Sequence, residues 1–163
     1  MREVTVAGIR MVEATNEIVL LLAESNRQLP IWIGSPEAAA IALAQQGVQP
    51  ARPMTHDLIR DILDALDASC LRVEVTSLVD GVFHADLVLS NGQRISCRPS
   101  DGVAVALRAG VPIMVADEVM DVAAITEANA EEDEVATEVD AFRAFLDEIS
   151  PEDFLKGEGD TSD

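Results

Sequence analysis

Two stretches of this 163-residue chain gather residue types suited to acid–base or phosphate chemistry, Arg52-Pro53-Met54-Thr55-His56-Asp57 and Arg98-Pro99-Ser100-Asp101. Each sets an arginine, a hydroxyl and an acid at the start of a helical pattern, where unsatisfied backbone N–H groups and the helix dipole attract anions, phosphates included. The plain alternative is that Thr55 and Ser100 are ordinary caps, with Asp57 and Asp101 favouring the dipole. Imidazole titrates near neutral pH, so His56 suits a general base or a metal ligand; a solvated first-turn histidine is the equal alternative. The second histidine, His84, lies inside a strand pattern with no such setting.

Metal-assisted phosphodiester hydrolysis needs two or more carboxylates converging on Mg²⁺ or Mn²⁺, with a base to offset phosphate charge. Asp57, Asp61 and Asp64 share one helical face, and that stripe reads more simply as a solvated surface. Glu37 and Asp101 are better candidates because they occupy equivalent places in an internal repeat. A shared metal site requires them to face each other within roughly 12 Å. The sequence carries no phosphate-binding glycine loop, nucleophile elbow, Cys-x-x-Cys or His-x-x-x-His.

The elements that must position these residues run in a repeated order. Strand patterns at Glu3–Arg10, Glu17–Glu24 and Leu29–Ile33 precede an alanine-rich helix opened by Ser35-Pro36-Glu37 and closed by Gly47. Arg72–Ser77, Val82–Ser90 and Arg94–Cys97 precede a second small-residue helix, opened by Ser100-Asp101 and ending at Gly110. The order predicts an α+β fold, a mixed β-sheet with packed helices built from a duplicated β-β-β-α unit. Between the halves, Thr55–Ala68 predicts an amphipathic helix with Leu58, Ile59, Ile62, Leu63 and Leu66 on its apolar side. A short strand over Pro112–Ala116 and a helical turn or two over Glu118–Ile125 follow. The core domain is read as 1–125, an acidic linker as 126–134, and 135–163 as a helix over Glu134–Ile149 followed by a disordered tail. The small-residue helices also suit homo-oligomerisation, although an alanine face buried within one chain explains them equally well.

Composition bounds the function. The longest apolar run, Ile18–Ala23, is far short of the roughly 20 residues needed to cross a bilayer, and the N-terminus resembles no signal segment, so a cytoplasmic protein is expected. Cys70 and Cys97 read as buried free thiols. Of the net charge of −19, residues 117–163 carry −15, leaving a nearly balanced core with nine arginines and no lysine. That distribution offers no basic patch for tight non-specific nucleic-acid binding.

Taken in order, Leu29-Pro30-Ile31-Trp32-Ile33-Gly34 with Glu37-Ala38, Arg52-Pro53 with Thr55-His56-Asp57-Leu58, and Arg98-Pro99-Ser100-Asp101 with Ala104 and Ala106-Leu107-Arg108 resemble the bifunctional nuclease family over about residues 3–125. The resemblance implies a self-associating α+β nuclease that cleaves RNA and DNA with a divalent metal. Among its motif positions, His56, Asp57 and Asp101 are the catalytic choices; Arg52, Arg98 and Ser100 the substrate-binding ones; Glu37 and Asp101 the metal ligands. One departure is Gly102, where the pattern leads one to expect alanine; glycine should loosen the helix start by less than about 1 kcal/mol. The competing reading is a non-catalytic oligomeric module that binds an anionic small molecule or a protein partner.

Overall fold

The computed structural model describes residues 1–126, and the linker and C-terminal helix expected beyond them lie outside the described residues. Eight strands form one mixed sheet: β1 (Arg2–Val12), β2 (Glu17–Glu24), β3 (Arg27–Ile33), β4 (Cys70–Val79), β5 (Val82–Leu89), β6 (Arg94–Cys97), β7 (Ile113–Val115) and β8 (Ile125–Thr126). Their spatial order is β6-β5-β4-β7-β1-β2-β3-β8. The pairings β1–β2, β1–β7, β2–β3, β4–β5 and β5–β6 are antiparallel, and β4–β7 is parallel. The helices are α1 (Ser35–Gln45), α2 (Thr55–Ala65), α3 (Pro99–Ala109) and α4 (Asp117–Ala123). The protein is therefore α+β, and the order strand, strand, strand, helix occurs on either flank of β7.

The β-branched and leucine run of β2 explains its central place, because Val19, Leu20, Leu21 and Leu22 are all buried and neither face of the strand can meet water. Its partner β3 contributes Leu29 and Ile31 to the same core. Alanine on α1 and Val103, Ala104, Val105 and Ala106 on α3 let both helices lie close against the strands and each other. Both helices end in the same way. Gly47 and Gly110 take φ of +66°, and the next amide, Val48 or Val111, bonds back to Leu43 or Ala106 across the last turn.

Three expectations are corrected. The N-caps are Gly34, Met54 and Arg98, so Ser35, Thr55 and Ser100 sit inside their first turns and none supplies a side-chain cap. The apolar side of α2 is split: Ile59 and Leu63 pack on the core, whereas Leu58, Ile62 and Leu66 stay exposed. Gly102 is a packing requirement and not a looseness, because a Cβ there would come within 2.7 Å of Val73 Cγ1 and 3.2 Å of Cys97 Sγ. Both cysteines are free, Cys70 buried and Cys97 half-buried. Burial pushes the Cys97 thiol up to about 11, which keeps it protonated. No helix among the described residues is long and apolar enough to cross a membrane.

Candidate functional site at three helix N-termini

Counting from their N-caps, Glu37, Asp57 and Asp101 each occupy the third position of a helix, on α1, α2 and α3 in turn. An acid there favours the helix dipole. Packing of α3 against both α1 and α2 brings the three ends together.

Asp101 is the hub. His56 Nε2 lies 3.0 Å from its Oδ1, and Arg98 donates from Nε to its Oδ2 at 2.7 Å. The second arm of the same guanidinium donates to Glu37 Oε1 at 2.9 Å. His56 is 7% exposed although it stands in the first turn of a helix, so the solvated reading of this residue fails. Burial opposes ionisation of Asp101, but hydrogen bonds from Arg98 and His56 outweigh it and hold the carboxyl below the usual carboxylate value. An ionised carboxylate can only accept, so His56 Nε2 is the donor in its bond to Asp101.

Asp57 has other partners. Its Oδ1 accepts from Arg108 Nε at 2.9 Å and its Oδ2 from the Met54 amide at 3.0 Å. Arg108, 7% exposed, also donates to the carbonyls of Ala104 and Ala40 and so ties α1, α2 and α3 together. The acid stripe on α2 divides likewise, since Asp61 pairs with Arg60 on the surface. Arg52 is exposed and makes no ion pair with any described residue. Arg108 stands in one of the sequence motifs, where no role for it was evident. The available signal was a single base in α3, set in the last turn after a run of valine, alanine and leucine.

A resident divalent ion does not fit this arrangement. Glu37 and Asp101 do share a partner and meet the distance condition, but the cation between them is the Arg98 guanidinium. Among the described residues no group of three His, Cys, Asp or Glu side chains converges as a metal site.

Comparison with known proteins follows the same motifs. Residues 18–128 match the family model described as the bifunctional nuclease domain. Two proteins of Mycobacterium tuberculosis, strains CDC 1551 and H37Rv, both named only as uncharacterized, are each 50% identical over 161 residues, covering 94% of this chain and 98% of theirs. Bifunctional nuclease 2 of Arabidopsis thaliana is 33% identical over 93 residues, 53% of this chain and 28% of that protein. Bifunctional nuclease 1 of the same plant is 31% identical over 93 residues, 53% of this chain and 29% of its own length. The family match extends over more than half of the chain and contains all three helix starts, and the chain belongs to the bifunctional nuclease domain family.

Proposed function

We propose that this protein is a nuclease that hydrolyses phosphodiester bonds of RNA and DNA at the joined N-termini of α1, α2 and α3. The observation that carries the reading is the unbroken chain His56–Asp101–Arg98–Glu37. Asp101 orients His56 as general base, and Arg98 offers a guanidinium, 67% exposed, to a phosphate oxygen. Water loses a proton to His56 as its oxygen bonds to phosphorus, the bond from phosphorus to the leaving oxygen breaks, and that oxygen takes a proton from solvent. Asp57 acts as a strut for α2 through Arg108, and Arg52 is a peripheral phosphate contact. The protein is cytoplasmic in this reading and self-associates.

The second reading is an oligomeric module that binds an anionic small molecule or a protein without cleaving it. It is favoured by the charge of the site, where Arg98 is matched by two carboxylates. The test is cleavage of labelled RNA and single-stranded DNA by wild type, Asp101→Asn and His56→Ala, each with Mg²⁺, Mn²⁺ or EDTA. Loss of cutting by 10²-fold or more in both variants supports the nuclease. The EDTA arm asks whether a divalent ion joins with the substrate. Equal cutting by all three proteins refutes the site, and no cutting by any leaves the binding module.

A further inference from the structure

A second feature adjoins this site. A cleft of about 630 Å³ lies between the end of β3, the start of β5 and the first turn of α3, with Trp32, Phe83, Arg98 and Ser100 among its walls. Trp32 is the single tryptophan of the chain, and it is 58% exposed. A large indole left in water on a strand forgoes on the order of 2 kcal/mol of burial. Ser100 presents the opposite anomaly. It is 6% exposed, yet its hydroxyl bonds to no described residue. Since no fully buried side-chain polar atom lacks a partner among the described residues, that hydroxyl reaches solvent, and Ser100 lines the cleft. Gly34 and Ser35, at the start of α1, line it too, and neither α1 nor α3 has a side-chain cap.

We propose that this cleft is a nucleobase subsite: an unpaired base stacks on Trp32 while its own phosphate meets Arg98 and the Ser100 hydroxyl beside the uncapped starts of α1 and α3. The proposal deepens the nuclease reading by naming the substrate class, single-stranded RNA or DNA. The chemistry favours a single strand for two reasons. An indole needs the face of a base, which a duplex hides in its stack. The cleft also holds one cation, Arg98, against the acid Glu17, so phosphate neutralisation is a weak source of affinity and stacking must carry the selectivity.

Because Trp32 is the sole tryptophan, its own fluorescence reports the contact. Full-length protein is titrated in EDTA with hexathymidylate, with an abasic hexamer of the same phosphates, and with a blunt duplex, and each strand is run on a gel afterwards, so that binding is read only on strands shown to be intact. Hexathymidylate should quench the emission, and the abasic strand and the duplex should not. Trp32→Ala should weaken binding of hexathymidylate roughly 5- to 150-fold, measured by anisotropy of a labelled strand, and Trp32→Phe should retain most of it. Trp32 is exposed, so both variants should fold. Equal quenching by the abasic strand, or unchanged affinity in Trp32→Ala, overturns the subsite. So does a concentration-dependent dimer that Trp32→Ala abolishes, because a second copy would then be the occupant. Quenching by a protein that cleaves nothing keeps the subsite and removes the nuclease; cleavage without quenching does the reverse.

Discussion

Replacing Arg108 by methionine tests how the three helices are held in place. The arginine side chain is 7% exposed and that of its partner Asp57 is 15% exposed. Methionine keeps the apolar stem and removes the guanidinium, so the loss is mainly electrostatic. Asp57 is then left with the Met54 amide alone, and the carbonyls of Ala40 and Ala104 each lose a donor. Removing one partner of a buried pair costs about 3–5 kcal/mol. Some relaxation is available because Asp57 sits near a helix start, so we expect about 3 kcal/mol at pH 7. That is a large share of the 5–15 kcal/mol typical of a domain, yet it leaves a folded protein. Urea unfolding followed by circular dichroism should show a lower midpoint with an unchanged m-value. Adding Asp57→Asn should recover about half of the loss, because the stranded charge is gone. A loss under 1 kcal/mol, or strictly additive single variants, would refute the strut.

Other expectations follow from the same contacts. Gly102→Ala gains about 1 kcal/mol of helix propensity but drives a methyl against Val73, an overpacking cost of about 1–3 kcal/mol. A net loss of about 1 kcal/mol by urea unfolding, relieved in Gly102→Ala with Val73→Ala, is expected; a stabilised single variant would contradict the packing argument. Glu74 is buried in the sheet, and although burial opposes its ionisation, hydrogen bonds from Arg94 and Arg72 hold its carboxyl below the usual value. Asp101 is depressed for a similar reason. Both therefore contribute stability that is present above about pH 4.5 and is lost as pH falls through their lower folded values. Unfolding midpoints from pH 6 to 2.5 should decline, and Glu74→Gln should decline less steeply; parallel curves would remove Glu74 from the explanation.

The sequence was most readable where local rules decide. The strand runs at Glu17–Glu24 and Arg94–Cys97 and the glycine stops at Gly47 and Gly110 are set by short-range periodicity and backbone sterics. Glu37, His56, Arg98 and Asp101 stood out because each opens a helix, and the fold joins them. What could not be read was which partner each charge would choose. Asp57 and Asp101 look alike in sequence, but one meets Arg108 and the other His56, a difference fixed by how α2 and α3 pack. Caps were misplaced by one or two residues: the N-cap is Gly34 before Ser35 and Arg98 before Ser100, and a serine in a first turn looks the same in sequence as a serine at the cap. Only half of the α2 stripe is buried, because periodicity marks an apolar face without saying how much of it a neighbour will cover.

The shallow seating of α2 bears on the lifetime of the site. His56 is its one buried residue, and its hold on the rest of the molecule runs through Ile59 and Leu63, Arg108 with Asp57, and the bond of His56 to Asp101. The β2 and β4 strands are instead locked on both sides by ladder hydrogen bonds. Local opening follows such differences in protection, so the amides of α2 will exchange with solvent well before those of the central strands. His56, the proposed base, thus rides on the element that lets go first. A brief lift of one helix would then undo the proposed site while the sheet stays folded, and anything that presses on the exposed Leu58, Ile62 and Leu66 would keep that helix down and the site assembled.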